Sequence, residues 1–412
     1  MKSDLDRFME KADLDALLIN GAADHNAAMV YFTGIIHMSG GYLIKKRDQE
    51  PILVCSAMER EEAALTGFQI KVIDDYDPIA ILTEVGGDQI QAQAKILQLI
   101  FEEFDVKGKV SIYGKVELGA SIEILRLLEN RLSDVELIGE STRSSILGKA
   151  RMTKSEDEIE QIRKMAQITT KVVGNVADFL TSHKVENETL IMTDGNALTI
   201  GEVKKRINLW LAMNGAENPE GTIFAIGRDG GIPHSAGTDS DVIQLGKPIV
   251  FDIFPCQKGG GYFYDHTRTW CLGYAPDEVV QIYNDVAHVY EQVIDAVKVD
   301  APARDYQILT CKLFQEQGHP TVLEDTKTQI GYCHSLGHGL GLNVHETPFF
   351  SQLESNQDRI EPGSVFTLEP GLYYPDRGMG VRLEDTFWMR PDGVLEKLSN
   401  YPTDLVLEMR TS

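Results

Sequence analysis

Four acidic residues interrupt apolar or glycine-rich stretches in the C-terminal half of the chain. Asp252 lies in IVFDIF, Asp265 in YFYDHTRTW, Glu369 in FTLEPGLY and Glu384 in GVRLEDTFW, and His338 lies in HSLGHGLG. Because burying an unpaired charge is costly, the fold must bring these side chains to a cationic partner. Two divalent ions would balance four carboxylates, so the pattern predicts a two-metal hydrolytic centre.

The length and composition of the chain indicate a globular protein of two domains. Its 412 residues exceed what one hydrophobic core usually serves. No stretch approaches the ~18–20 apolar residues of a membrane helix, and the N-terminus lacks the apolar segment of a signal peptide. The five cysteines are scattered and form no CxxC pair, which is typical of reduced thiols. We therefore expect a cytoplasmic protein without a membrane partner.

The charge balance is strongly acidic, with 39 basic and 63 acidic residues and a formal net charge of −24. A surface of this sign repels a phosphate backbone. Nucleic acid is therefore not an expected partner.

Residues 1–148 are predicted to form an α/β domain, because strand-like and helix-like patterns alternate along them. They contain no GxGxxG or Walker motif, and so give no indication of a phosphate site. Strands are predicted at 16–20, 40–46, 51–55, 69–74, 109–114 and 134–139, and helices at 58–67, 89–104 and 120–132.

Residues 149–412 are predicted to form an α+β domain, in which helices cover a curved, mainly antiparallel sheet. Ser155 and Glu158 form a capping box that opens a long helix. Further helices are predicted at 200–213, 276–297 and 303–317, and strands at 248–254, 262–272, 342–346, 364–368 and 380–389.

Local spacing indicates how the acidic residues could meet. Asp252 and Asp265 flank a glycine-rich turn, so a hairpin would bring their carboxylates side by side. Arg382 precedes Glu384 by two positions, which places both on one face of a strand. The guanidinium can then orient a ligand carboxylate.

Three further histidines, His234, His334 and His345, lie in glycine-rich or strand-end segments. Any one of them, like any one strand acid, is more often a packing residue or a salt-bridge partner than a functional group. Together, around a carboxylate cluster, they favour a site. HSLGH lacks the glutamate of an HExxH zinc motif, and His266 is expected to point away from Asp265.

The motifs PHSAG, VFDIF, YDHTRT, HSLGHGLGLNVHE, FTLEPGLY and GVRLEDT, in order over roughly 230–390, resemble those of the pita-bread metallopeptidases. This family includes prolidase, aminopeptidase P and methionine aminopeptidase. The α/β domain at the N-terminus and the form GVRLED are similar to the proline-specific branch and to creatinase. The resemblance implies a creatinase-like N-terminal domain, a pita-bread catalytic domain and a homodimer.

The resemblance also implies a role for each motif residue. Asp252 would hold one of two divalent metals, which could be manganese, cobalt or zinc. His338 and Glu369 would hold the other, and Asp265 and Glu384 would bridge the two.

The remaining motif residues would serve the substrate. Glu369 would also carry the proton of the attacking water, while His234 and His345 would bind the substrate carbonyl. His334 would line the substrate site, and Arg382 would orient a metal ligand from behind. The implied activity is that of an exopeptidase that hydrolyses Xaa-Pro bonds, either as an Xaa-Pro dipeptidase or as an Xaa-Pro aminopeptidase. A hydrolase of another small amide or ester remains an alternative, and so does a non-catalytic binding module of the same fold.

Overall fold

The computed structural model describes residues 4–141 and 144–410. The chain divides into two compact units, one of Met1–Arg151 with Gly259–Gly261 and one of Met152–Lys258 with Tyr262–Ser412. Among the described helices, none combines the length and the apolar content that crossing a bilayer requires.

The first unit is built on a six-stranded mixed sheet. Its strands are β1 (Ala16–Gly21), β2 (Gly41–Lys46), β3 (Ile52–Cys55), β4 (Gln69–Val72), β5 (Gly108–Lys115) and β6 (Val135–Ile138). Their order across the sheet is β4-β3-β2-β1-β5-β6. The β1–β2 and β2–β3 pairs are antiparallel and the other three are parallel.

Seven α-helices in the described part of the chain accompany this sheet, which confirms the predicted α/β class. The long α5 buries one face, including Leu97, Ile100 and Phe101, as its amphipathic pattern predicts. The helices are α1 (Leu5–Lys11), α2 (Ala27–Thr33), α3 (Arg60–Ala64), α4 (Pro78–Glu84), α5 (Gln89–Glu103), α6 (Leu118–Arg131) and α7 (Ile146–Met152), of which Met152 belongs to the second unit.

The second unit contains the predicted long helices. The Ser155 hydroxyl accepts a hydrogen bond from the Glu158 N–H and the Glu158 carboxylate accepts one from the Ser155 N–H, so the capping box is confirmed. The helix that it opens buries Ile159, Ile162 and Met165 in a core shared with the sheets. The helices are α8 (Glu156–Thr181), α9 (Ile200–Met213), α10 (Gly227–Gly230), α11 (Asp277–Ala296) and α12 (Ala303–Glu316).

The strands of this unit are short. They are β7 (Lys184–Glu186), β8 (Thr189–Ile191), β9 (Ala216–Glu217), β10 (Thr222–Ile226), β11 (Ile249–Ile253), β12 (Cys256–Gln257), β13 (His266–Leu272), β14 (His338–Gly339), β15 (Glu346–Phe349), β16 (Val365–Leu368), β17 (Gly371–Tyr374), β18 (Met379–Arg382), β19 (Asp385–Met389), β20 (Leu395–Lys397) and β21 (Val406–Leu407).

Two mainly antiparallel sheets dominate the second unit, as the predicted α+β class requires. One has the order β10-β11-β13-β21 and the other β15-β14-β16-β19-β20. The predicted hairpin is present: β11 pairs with β13, and Asp252 lies opposite Thr267. Thr267 also forms a bridge with Glu384, so this one residue links the two sheets beside two of the acidic side chains.

Three strand predictions need correction. The predicted strand 342–346 is wrong, because residues 342–345 are bends and pairing starts only at Glu346. The predicted strand 380–389 is two strands, β18 and β19, interrupted at 383–384. Strand 262–272 begins only at His266.

A buried polar cluster lies at β13 and β19, on the face opposite to Asp265. Asp385 accepts hydrogen bonds from Arg268 (3.0 and 3.3 Å) and from the Tyr290 hydroxyl, and His266 Nδ1 lies 3.3 Å from Asp385 Oδ1. Burial alone would raise the pKa of Asp385, but His266 and the charge of Arg268 hold it well below its usual range. The prediction that His266 points away from Asp265 is thereby confirmed.

Candidate metal centre

The acidic residues predicted from the sequence converge with His338 in the second unit. The ligand atoms of Asp265, His338 and Glu384 all lie within 4.8 Å of one another. His338 Nε2 is 3.6 Å from Asp265 Oδ2 and 3.7 Å from Glu369 Oε1. Asp252 is close enough for its charge to act on Asp265, Glu369 and Glu384.

Each side chain lies in a strand close to its end, directly beside a strand, or in a break between two strands. Asp252 is in β11, Asp265 immediately precedes β13, and His338 begins β14. Glu369 follows β16, and Glu384 occupies the interruption between β18 and β19. Strands from both sheets therefore supply the cluster.

These side chains face a cavity of about 440 Å³ in the second unit. Among the predicted site residues, His334 alone does not line it. The lining includes His234, Asp252, Asp265, His338, His345, Glu369, Arg382 and Glu384.

The electrostatics of the cavity favour bound cations. Burial and then repulsion from Glu384, Asp252 and Glu369 raise the pKa of Asp265 well above its ordinary value. The pKa of Glu369 is raised in the same way, first by burial and then by Glu384. Burial and the charge of Asp252 raise the pKa of Glu384 to about 8. Since Arg382 is the single arginine or lysine in contact with these four acids among the described residues, it leaves three negative charges to be balanced.

Arg382 is buried and holds Asp252 in place. Its Nη2 donates to Asp252 Oδ2 at 2.5 Å, its Nε to Thr267 Oγ1 at 3.2 Å and its Nη1 to the Tyr373 hydroxyl at 2.6 Å. The arginine therefore pairs with Asp252, across the sheets, and not with its neighbour Glu384. Thr267 in turn donates to Glu384 Oε2 at 2.7 Å.

The environment of His338 prepares it to bind a cation. Its Nδ1 lies 3.0 Å from the carbonyl oxygen of Gly339, which can only accept a hydrogen bond, so Nδ1 carries the proton. Burial and the neighbouring His345 lower the pKa of His338 to about 3. The imidazole is therefore neutral, and the lone pair on Nε2 faces Asp265 and Glu369.

The other histidines surround this group. The rings of His345 and His338 are 4.3 Å apart between centroids, and His345 and His234 are exposed to the cavity. His334 Nδ1 is 4.0 Å from Glu369 Oε2, and its Nε2 accepts from the Tyr373 hydroxyl at 3.0 Å. Burial and the charge of Arg382 lower the pKa of His334 to about 3.

Glycines allow the chain around His338 to approach the neighbouring strands. A Cβ atom at Gly337 would lie 2.0 Å from the carbonyl oxygen of Thr367, and one at Gly339 would lie 2.1 Å from that of Thr347. Neither distance is sterically possible. Only glycine lets this segment pack at such a distance.

A buried ion pair fixes the end of the same segment. Lys154 Nζ lies 3.2 Å from Glu346 Oε2, with both side chains at most 5% exposed. Glu346 Oε1 accepts from the Asn343 N–H at 3.0 Å, and Glu346 directly follows His345. The pair therefore anchors the loop that joins His338 to His345.

The sequence reasoning missed Thr267, Tyr373 and the Lys154–Glu346 pair. Thr267 follows Asp265 by two positions, so strand alternation could have placed its hydroxyl on the same face. The contact of Tyr373 with Arg382 joins residues 9 positions apart, and that of Lys154 with Glu346 joins residues 192 positions apart. No local pattern could have predicted these contacts.

The donor set fits divalent metal ions. Asp252 Oδ1, Asp265 Oδ1 and Glu384 Oε1 are buried and have no hydrogen-bond partner among the described residues. Buried carboxylate oxygens are rarely left without a partner unless they bind an ion. Carboxylates combined with a neutral imidazole are ligands that transition metals accept.

Comparisons with known proteins agree with this chemistry. The chain is 26% identical to the Xaa-Pro dipeptidase of Pyrococcus furiosus over 396 residues, which are 94% of each protein. It is 28% identical to the probable dipeptidase PepE of Mycobacterium tuberculosis, over 87% of this chain and 81% of that protein.

The fold is also that of solved structures. The X-Pro aminopeptidase from Thermotoga maritima superposes with a TM-score of 0.74 at 23% identity, covering 98% of this chain and 99% of the other. The model of the creatinase/prolidase N-terminal domain matches residues 2–163, and that of metallopeptidase family M24 matches residues 160–391. Because the second match spans more than half of the 412 residues, the chain belongs to metallopeptidase family M24.

Proposed function

We propose that this protein is a binuclear metal-dependent exopeptidase that hydrolyses Xaa-Pro bonds in small peptides. The observation that carries the proposal is the convergence of four carboxylates and a neutral His338 in one buried cavity. It is supported by relatives named Xaa-Pro dipeptidase that match nearly the whole chain.

In this proposal the residues that would hold the two metal ions are Asp252, Asp265, His338, Glu369 and Glu384. The unpartnered oxygens of Asp252, Asp265 and Glu384 support this assignment. Bound divalent ions would polarise the substrate carbonyl and lower the pKa of a water molecule.

The other residues of the cavity orient the substrate and move protons. Glu369 is less buried than the other acids, so it is suited to accept a proton from water and to donate it to the leaving nitrogen. His345 and His234 face the cavity and would donate hydrogen bonds to the carbonyl oxygen as charge develops on it. Arg382 keeps Asp252 in position, and His334, which lies outside the cavity lining, would act on the substrate site only through its contacts with Tyr373 and Glu369.

A panel of three peptides tests the function. Purified protein incubated with Mn²⁺ is assayed with Ala-Pro, with Ala-Pro-Ala and with the non-proline peptide Ala-Ala. We expect cleavage of at least one Xaa-Pro peptide and little of Ala-Ala. Equal rates on all three would contradict proline specificity. No cleavage at all, together with no bound metal in elemental analysis, would indicate a binding module instead.

We further propose manganese, cobalt or zinc as the metals, since mixed carboxylate and imidazole ligands suit all three. We also propose a homodimer, a functional boundary between residues 1–148 and 149–412, and a cytoplasmic location. The five cysteines, all free thiols, support a reducing compartment. Elemental analysis and light scattering test the metal and the dimer.

A further inference from the structure

We propose that Lys204 binds the C-terminal carboxylate of the substrate and so makes Xaa-Pro dipeptides the preferred substrates. This inference rests on the proposed function and extends it to a substrate class. It starts from the outer wall of the metal cavity, which we define as Lys204, Asn208, Asn218 and Glu220.

The outer wall comes from two elements that carry none of the proposed metal ligands. Lys204 and Asn208 are four residues apart on α9, so both project from one face of that helix. Asn218 and Glu220 lie between β9 and β10, and Asn218 donates to Asn208 at 3.1 Å, which ties the two elements together. The wall is more exposed than the buried acids, as a surface that meets the far end of a substrate should be.

Lys204 is the cation that remains for a ligand. The described lining of the cavity contains one other lysine or arginine, Arg382. The guanidinium of Arg382 is buried and already bonded to Asp252, Thr267 and Tyr373. It therefore has no capacity to receive a substrate carboxylate without releasing a metal ligand.

The present partners of Lys204 are easily exchanged. Its Nζ lies 2.8 Å from Asp239 Oδ1, but the Asp239 side chain is 72% exposed, and surface pairs of this kind contribute little. Its second partner, the carbonyl oxygen of Gly237 at 3.4 Å, lies three residues after His234. This contact places the ammonium beside the segment that carries one of the proposed carbonyl-binding residues. A lysine on a flexible stem can turn from Asp239 to a ligand.

The chemistry of a dipeptide requires such a cation. In Xaa-Pro the carboxylate is attached to the proline Cα, which is bonded directly to the scissile nitrogen. The negative charge therefore enters a cavity in which it loses hydration, and a cation beside it would offset that cost once the metal ions balance the four carboxylates. A longer peptide places an uncharged amide at this position, and a lysine ammonium interacts less strongly with an amide than with a carboxylate.

The test compares Ala-Pro with Ala-Pro amide, which lacks only the charge. In the wild-type protein with Mn²⁺ we expect kcat/KM to be about tenfold higher for Ala-Pro, the effect of one charged hydrogen bond. Lys204→Gln should lower the ratio of the two kcat/KM values to about one, chiefly through a higher KM for Ala-Pro. Lys204→Arg should retain most of it.

Two controls separate charge recognition from other effects. Lys205→Gln removes the next lysine of α9, which is exposed and paired with Glu202, and should keep the ratio. Asp239→Asn removes the ion pair but leaves the ammonium, and should keep or increase the ratio. An unchanged ratio in Lys204→Gln, or the same loss in Asp239→Asn, would overturn the inference while leaving the Xaa-Pro activity intact. Failure of the wild-type protein to cleave any Xaa-Pro peptide would overturn both.

Discussion

At the scale of single residues, Glu369 differs from the other acids of the cavity. Its side chain is 16% exposed, whereas that of Asp265 is 6% exposed, and its carboxylate lies between His338 and His334. A group that exchanges protons with a substrate needs such access, while a purely structural ligand does not.

Glu369→Gln should therefore lower kcat by about 10²-fold or more, because the amide cannot carry the proton. Thermal unfolding should change little, since the side chain keeps its size. The matched control is Glu354→Gln, which alters an exposed glutamate of the same unit and should leave kcat unchanged. A near-normal kcat in Glu369→Gln would refute the proposed role.

The Lys154–Glu346 pair makes a second prediction at this scale. Lys154→Met leaves the buried Glu346 carboxylate without its lysine, and breaking a buried pair typically costs about 3–5 kcal/mol. We expect a clearly lower midpoint in urea unfolding and weaker metal binding, since the loop between His338 and His345 loses its anchor. The double variant Lys154→Met/Glu346→Gln should recover part of the stability. Lys312→Met, an exposed change on α12, is the control.

At the scale of elements, helices and strands are predicted best where the sequence pattern is long. Helices α5, α8 and α11 follow from periodicity, and α8 also from its capping box, because both signals are local. The short α2 and α4 were missed. The start of α4 could have been found from Asp77-Pro78, a cap followed by a proline in the first turn.

The wrong strand at 342–346 shows the limit of such patterns. LNVHE alternates as a strand does, but Gly339 and Gly341 and the buried Glu346 bend the chain before pairing begins. The motifs predicted which acids would converge. They did not predict that Arg382 would form its ion pair with Asp252, because the two residues are 130 positions apart in the sequence.

The glycines that bend this segment give a prediction for the element. Gly337→Ala should displace β14 from β16, because its Cβ would clash with the carbonyl of Thr367. Both stability and metal affinity should fall, as measured by thermal unfolding and by titration with Mn²⁺. Gly174→Ala is the control: its Cβ meets only Tyr401 at 3.8 Å, and alanine favours the helix by up to about 1 kcal/mol. Equal losses in both variants would contradict the packing argument.

At the scale of the whole molecule, the metal-free protein holds several carboxyl groups close enough to repel one another when they ionise. In the unfolded chain Glu384 has an ordinary pKa of 4.5, and in the fold its pKa is about 8. The folded metal-free state therefore keeps a proton that the unfolded chain releases. This stabilisation is present at low pH and is lost as the pH rises from about 4.5 towards 8. Asp265 and Glu369, with raised pKa values, act in the same direction.

Chelator-treated protein should thus unfold at a lower temperature at pH 8.5 than at pH 6.5. The opposite contribution of His338, whose pKa is lowered to about 3, appears only below pH 6.5 and does not interfere. Mn²⁺ added at pH 8.5 should raise the midpoint by several degrees. In metal-free Glu384→Gln the fall between the two pH values should be smaller. A midpoint that rises with pH in chelator would disprove this account.

The two faces of β13 and β19 have one further consequence. Asp265 and Glu384 point into the cavity, while their chain neighbours His266 and Asp385 join the polar cluster behind it. A shift of one residue in the pairing of either strand would exchange these faces, turning the ligands towards the rear cluster and its members towards the cavity. The segment at 254–264 is different, because the pairing of β11 with β13 holds Asp252 opposite Thr267 whatever its length. Insertions that evolution tolerates in this hairpin should therefore accumulate in that connection and spare the strands.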